Sequence, residues 1–239
     1  MATYEHFARH YDALLPDPLA NAARVRGYLA RHAPHARSLL ELGCGTGAVL
    51  AGLRGSVASL AGLDRSPAML ARAHARAPSS RLIEADMTAF DLGERFDAVI
   101  CVFDTLNHLA RFEQWLALFD RAAAHLHEGG LFAFDVNTAG QLRRLAAAGA
   151  WTVSLPAAVV SQEVEALGDG LFLWHVRITE SGARGGIVRH HERILELAVE
   201  LAALDTALAP AFERLERSDG EGGAPNDESA RAYFAYRRR

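Results

Sequence analysis

The chain has 239 residues, half of them hydrophobic and 23% charged, with a formal net charge of −4. That composition excludes a disordered chain, a collagen and a coiled-coil rod, and the length suffices to bury a core without disulfides or metals. The two cysteines, Cys44 and Cys101, exclude a disulfide framework and a four-cysteine zinc site, and the slightly acidic balance argues against a general nucleic-acid binder, which needs basic surface to release phosphate counterions.

Residues 1–10 contain Glu5, His6, Arg9 and His10 and no apolar stretch of signal length. The longest fully apolar run, residues 98–103, is far short of a membrane span. The expectation is a soluble cytoplasmic protein with no membrane partner. Residues 19–32 have helix periodicity and stop before Pro34, and residues 38–42 form a short apolar run ending in Gly43. Residues 46–54 read as helix and 56–63 as a second strand ending at Asp64. Ser66-Pro67 is an N-cap followed by proline at the first helical position, so a helix runs from there to about Arg76.

Residues 81–85 read as a third strand ending at Asp86, and 96–103 as a fourth, buried on both faces because its apolar run is continuous. Residues 112–126 form an amphipathic helix stopped by Gly129-Gly130. A fifth strand at 131–136 and a helix at 138–148 follow. Strands alternating with helices predict a parallel sheet covered on both faces.

After Gly149 the pattern turns to strands, at 151–165, 171–180 and 186–197. The alternation of Phe172, Trp174, Val176 and Ile178 marks a half-buried strand face. Residues 198–208 return to helix, and 212–217 and 230–236 read as a closing strand pair. The Gly-, Asp- and Glu-rich stretch 218–229 between them predicts a mobile loop. The predicted organisation is an α/β domain over 1–149 and 198–239, with a β-rich insertion over 150–197 acting as a lid or substrate wall. The exposed face of the inserted strands offers either a homodimer contact or a substrate cover.

The chemistry concentrates at Leu39-Leu40-Glu41-Leu42-Gly43-Cys44-Gly45-Thr46-Gly47, which follows a strand and opens a helix. Glycines there let the backbone turn tightly and approach a ligand, and a helix N-terminus presents free N–H groups. Gly43, Gly45 and Ala48 also satisfy the dinucleotide pattern G-x-G-x-x-G/A. On the glycines alone, a dinucleotide site, another nucleoside site and a plain turn stand level. Spacing adds to this: Asp64 ends the second strand, where a carboxylate can accept both ribose hydroxyls, and Asp86-Met87 follows the third, where an adenine could sit. Three consecutive strands each ending in a polar group favour a nucleoside cofactor. Met87 taken alone fits ordinary packing equally well.

These residues resemble the motifs of class I S-adenosylmethionine-dependent methyltransferases: Glu41–Gly47 the first, and Asp64, Asp86 and Phe96-Asp97-Ala98-Val99-Ile100 the next three in order. Tyr4-x-x-Phe7-Ala8-x-x-Tyr11-Asp12 and the run Phe103-Asp104-Thr105-Leu106-Asn107-His108 resemble a narrower small-molecule group that includes the sugar-nucleotide N-methyltransferases. The resemblance implies a Rossmann-like, doubly wound seven-stranded sheet, five parallel strands plus a C-terminal antiparallel pair, with inserted strands after the fifth. It implies S-adenosylmethionine as cofactor. Gly43, Cys44 and Gly45 would lie against its methionine portion and Asp64 at the ribose. Arg65, Met69, Asp86 and Met87 would lie around the adenine, and Phe103 near the sulfonium. Tyr11 and Tyr4 would close over the methionine end, or pack as part of an N-terminal helix.

Methyl transfer from a sulfonium needs mainly alignment. A neutral amine needs little base assistance, whereas a hydroxyl needs a base, most often histidine. His108, then His191, are the candidate catalytic groups, and Asn107, His108 and His175 the candidate substrate contacts. Asp135, Asn137, His190 and His191 lack the tight spacing of a metal site, so no metal is expected. Competing readings are an NAD(P)-dependent oxidoreductase and a non-catalytic scaffold retaining the fold. The Tyr–Lys proton relay common in oxidoreductases is impossible without lysine, and all 25 basic residues here are arginine. Nucleic-acid methylation is disfavoured by the absence of proline in residues 103–106 and by the net charge.

Overall fold

The computed structural model describes residues 4–14, 18–182 and 186–239. Residues 1–3, part of the signal argument, lie outside the described residues. Strands β1 (Ser38–Leu42), β2 (Ser59–Asp64), β3 (Arg81–Glu84), β4 (Phe96–Cys101) and β5 (Leu126–Asn137) run parallel. With β10 (Phe212–Ser218) and β11 (Arg231–Arg238) they make a seven-stranded sheet in the order β10-β11-β5-β4-β1-β2-β3. Strand β11 is antiparallel to both its neighbours. The polarity follows from the crossovers: β1 to β5 are linked by intervening segments on the sheet faces, whereas β10 and β11 are linked by a loop alone.

Side chains on β4 and β5 alternate between two cores, as a period of two requires. Val99, Cys101, Phe132 and Phe134 face one with Trp115 of α5 (Phe112–Ala124) and Leu204 of α7 (Leu201–Leu208). Ala98, Ile100, Leu131 and Ala133 face the other, with Tyr28 of α2 (Pro18–His32) and Leu50 of α3 (Ala48–Gly52). Helix α4 (Pro67–Arg76) starts as the sequence predicts, with the Ser66 Oγ accepting from the Met69 amide at 3.3 Å.

Several boundaries differ from expectation. Helix α5 ends at Ala124, capped by His125, whose side chain bonds the Arg121 carbonyl at 2.8 Å and accepts from the Leu92 amide at 3.0 Å. Gly129 and Gly130 then sit inside β5 at a register shift, where a Cβ on Gly130 would lie 2.8 Å from the His127 carbonyl oxygen. Helix α3 is shorter than predicted because Gly47, at φ 74°, still belongs to the loop and packs against Ala73. The predicted strand 151–165 is two strands, β6 (Trp151–Ser154) and β7 (Ala158–Gly168), because Leu155 and Ala158 close a hairpin around Pro156. The loop 218–229 is tied down rather than loose: Arg217 bonds the Pro225 carbonyl, the Asp227 carbonyl accepts from the Gly140 amide, and Thr138 bonds the Ser229 carbonyl.

Strands β6, β7, β8 (Leu171–Ser181) and β9 (Ile187–Leu197) form a separate antiparallel sheet. Its inner face carries Val160, Val176, Ile178 and Ile194, which pack with Phe7, Tyr4 and Tyr11 of the N-terminal segment. That segment, including α1 (Ala8–Leu14), therefore lies between the two sheets. Helix α6 (Ala139–Ala148) links β5 to β6, its N-cap Thr138 accepting from the Gln141 amide.

Candidate active site

The carboxyl ends of β1, β2, β3 and β4 converge on one cleft, at the crossover edge where open α/β sheets bind ligands. At β1, Gly43 and Gly45 adopt φ of 69° and 53°. The chain needs glycine at 43: a Cβ there would lie 2.3 Å from the Thr105 Cγ2. A Cβ at Gly45 would meet nothing within 4 Å, so that position opens onto free space. At β2, the Asp64 carboxylate accepts from the Gly45 amide at 2.9 Å and the Ser66 amide at 2.8 Å. Burial pushes its pKa up, against the pull of those two amides. Glu41, beneath the loop, is buried with one oxygen unpartnered, and burial followed by the nearby Asp64 raises its pKa well above the carboxylate range.

The cleft has a volume of about 710 Å³ and is lined by Tyr4, Tyr11, Gly43, Gly45, Asp64, Arg65, Met69, Asp86, Met87, Phe103 and His108 among others. The structure thus gathers eleven of the sequence-predicted residues around one space. Cys44 is not on it. Its side chain is buried and turned against Gly62, where a Cβ would lie 2.9 Å from the Cys44 sulfur, so only its backbone faces the loop.

A second, larger chamber of about 1350 Å³ adjoins the first and shares Tyr4, Tyr11, Phe103 and His108 with it. Its far wall is the inner face of the second sheet, with Gln162, Trp174, Val176, Ile194 and Glu196, and Arg231 and Tyr233 of β11 close another side. At the seam the Tyr4 hydroxyl and the His108 Nε2 are 2.9 Å apart. Burial lowers the His108 pKa, with Asp104 opposing.

The seam is held by a network that the sequence reading did not find. Phe103 and Asp104 both adopt positive φ, 60° and 48°, a strained conformation for non-glycine residues. Asp135, 1% exposed, accepts from the Phe103 amide at 2.9 Å and the Asp104 amide at 3.1 Å. Arg231 bonds Asp135, reaches Asp104 at 2.6 Å and Asn137 at 3.0 Å, and so locks the turn. Burial works against the Arg231 charge, but Asp104 and Asp135 raise its pKa. On the other side Asp12 of α1 accepts from Thr46 at 2.6 Å and from Arg76 at 2.7 Å, fastening α1 to the glycine loop.

Three expected residues are placed elsewhere. Asn107 is fully buried and spent on structure: its amide nitrogen donates to the Asn137 and Leu197 carbonyls, and its oxygen accepts from the Asn137 amide. His175 and His191 lie on the outer face of the second sheet, 3.0 Å from each other, with Glu165 3.1 Å from His175. Pleating directs them away from the chamber, because their neighbours Trp174 and Val176 face inward. The residues weighed for a metal do not assemble either, since His190 stacks on His6 at 3.7 Å and His191 points out. Among the described residues, ligand atoms of Asp104, His108 and Glu196 do lie within 4.8 Å of one another, with Asp104 already bonded to Arg231.

Residues 39–130 match a methyltransferase domain family. Over those residues the chain is similar to that family. Its curated relatives include the dTDP-3-amino-3,6-dideoxy-alpha-D-glucopyranose N,N-dimethyltransferase of Streptomyces fradiae, 42% identical over 110 residues, or 46% of this chain and 43% of that protein. The dTDP-3-amino-3,4,6-trideoxy-alpha-D-glucopyranose N,N-dimethyltransferase of Streptomyces venezuelae is 35% identical over 115 residues, 48% of each. The chain spans about half the length of these relatives. Solved structures extend the likeness over the whole chain. An S-adenosylmethionine-dependent methyltransferase from Clostridium acetobutylicum superposes with a TM-score of 0.85 at 21% identity, covering 98% of both chains, and shows the shared fold. The sugar N-methyltransferase KedS8 from Streptoalloteichus superposes with a TM-score of 0.81 at 25% identity, covering 98% of this chain and 93% of that one. The matched residues end inside β5, and β8, β9 and β11 beyond them contribute Trp174, Ile194 and Arg231 to the second chamber.

Proposed function

We propose that the protein transfers a methyl group from S-adenosylmethionine to the amine nitrogen of a small molecule, with an amino sugar as the first acceptor class to test. The observation that carries this reading is the pair of adjoining chambers meeting at Tyr4, Tyr11, Phe103 and His108. A donor in one and an acceptor in the other would meet at that seam, which is the alignment an in-line displacement needs. The sequence relatives are named as N,N-dimethyltransferases acting on dTDP-linked amino sugars, which supports the acceptor class.

The first chamber fits the donor. The open space beside Gly45 accommodates a close-lying ligand backbone, and Asp64 retains lone pairs beyond its two amide bonds. Gly43, Gly45 and the Cys44 backbone would hold the methionine portion, Asp64 the ribose, and Arg65, Met69, Asp86 and Met87 the adenine. When bound, S-adenosylmethionine supplies a methyl already activated by the positive sulfur. The chain's part is to exclude water with Tyr4, Tyr11 and Phe103 and to place the acceptor against His108. The second sheet, residues 151–197, serves as the acceptor wall. Its outer face, where Val159 and Leu195 are exposed, is assigned to pairing with a second copy, which sedimentation would measure.

Calorimetric titration with S-adenosylmethionine, with NAD and NADP as controls, tests the reading. Micromolar binding, on the order of −8 kcal/mol, weakened at least about tenfold in Asp64→Ala by loss of a charge-assisted acceptor, is expected. Binding of NAD or NADP in its place would refute it.

A further inference from the structure

One group in the acceptor chamber is left over by this reading. Glu196 projects from the inner face of β9, is 2% exposed, and has one carboxyl oxygen with no hydrogen-bond partner. Its other oxygen lies 3.7 Å from the Nδ1 of His108, a nitrogen that also has no partner. A buried carboxyl oxygen without a partner costs stability unless something arrives to complete it. Both unpartnered atoms belong to residues lining the chamber, beside the seam where transfer would occur.

Resting on the methyltransferase reading, we propose that Glu196 binds the acceptor as an ammonium ion and takes its proton, making Glu196 a catalytic residue of the amine half-site. The charge pattern supports a cation there. Asp104 and Glu196 both line the chamber, and Arg231, also in its lining, is already bonded to Asp104 and Asp135. The groups facing Glu196 are Asp104, His108, Arg231, Trp174, Asn137 and Tyr4, from five different segments. Burial, then Asp104, raises its pKa to about 8, while Trp174, Asn137 and Arg231 pull it back. A base of that strength suits an alkylammonium, whose pKa is about 10.4, and is far too weak to deprotonate an alcohol.

The step balances. As the ammonium binds, the proton Glu196 holds at pH 7 leaves to water and the carboxylate pairs with the cation; the ammonium N–H bond then breaks with its pair left on nitrogen, and an O–H bond forms on Glu196. That nitrogen pair forms the new N–C bond as the methyl–sulfur bond breaks with its pair on sulfur. The proton on Glu196 leaves to water through the chamber mouth, which resets the site for a second transfer.

The test uses the full chain with two probes, dTDP-3-amino-3,6-dideoxyglucose and the same amino sugar without its nucleotide. Glu196→Gln keeps the shape and removes the proton acceptor. Its affinity for S-adenosylmethionine should stay within about twofold of wild type, while kcat/KM for the better probe at pH 7 falls about 100-fold, the lower end of general-base contributions. The deficit should shrink as pH rises toward the amine's own pKa, because the variant draws only on amine that is already neutral. With no methyl donor present, the probe should bind the variant at least about tenfold more weakly. Glu196→Asp should recover part of the rate. If Glu196→Gln fails to fold, wild-type calorimetry in two buffers decides: probe binding should release protons at pH 7, and no release overturns the assignment. Transfer by Glu196→Gln at the wild-type rate and with the wild-type pH profile overturns it as well. Wild-type protein inert toward both amines overturns the amine reading beneath the proposal, and the assignment falls with it.

Discussion

Replacing Gly43 by alanine tests the local argument for the glycine loop. At φ 69° a Cβ is strained wherever it points, which costs about 1–2 kcal/mol for an L-residue. Here it would also lie 2.3 Å from the Thr105 Cγ2. Thr105 is buried, and its hydroxyl donates to the Val102 carbonyl at 2.7 Å, so it cannot simply rotate away. Overpacking of this kind adds about 1–3 kcal/mol, giving a total loss of about 2–5 kcal/mol for Gly43→Ala. Thr105→Ala alone should cost about 2 kcal/mol, from one hydrogen bond and one methyl. In the double variant the steric part disappears and only the backbone strain remains. Urea unfolding of the four proteins should therefore give a favourable coupling of about 1–3 kcal/mol. Additive losses, with a coupling below about 0.5 kcal/mol, would refute the clash as the reason glycine stands at 43.

Asp135→Asn should lose about 3–5 kcal/mol in urea unfolding, the range for breaking a buried charge pair, because one carboxylate serves two amides and Arg231. Asn107→Ala strands three buried backbone groups and should cost about 3 kcal/mol, at roughly 1 kcal/mol each. His175→Ala and His191→Ala should leave methyl transfer within about twofold of wild type, since both side chains face away from the chamber; a tenfold loss in either would place that histidine in the reaction. Glu196 also predicts a stability slope. Its folded pKa is raised, so the folded state holds a proton that the unfolded state loses above the ordinary carboxylate range. Stability should fall as pH rises from there to about 8, and Glu196→Gln should flatten that slope in thermal melts across the window.

The sheet was legible because its signals are local. Apolar runs of strand length, the Ser66-Pro67 cap and the glycines after β1 each act within a few residues, and the structure puts strands and a helix start there. The grouping of residues around the first cleft was legible for a related reason: strands that end in polar groups at one edge must present them together. The second chamber was not. Asp104 and Arg231 meet across 127 positions of sequence, and no spacing rule links them. Which of His190 and His191 faces inward depends on the pairing of β9 with β8, a register that two adjacent histidines cannot reveal. Glu196 sits between exposed Leu195 and half-buried Leu197, so its burial follows from what packs over it rather than from its own segment. Asn107 has the composition of a ligand contact and the environment of a brace, and only the fold separates the two.

Arg231 also sets an order of events in time. The turn that positions Phe103 is complete only when the first residue of β11 has paired with Asn137 and reached Asp104 and Asp135. During synthesis the ribosome delivers every residue matched by the methyltransferase domain, and the whole second sheet, before it delivers Arg231. Domains tend to fold as units as they emerge, yet a nascent chain stalled anywhere short of β11 lacks the latch on its own seam. The latch on that turn therefore closes late and in one step, after the whole second sheet has been made.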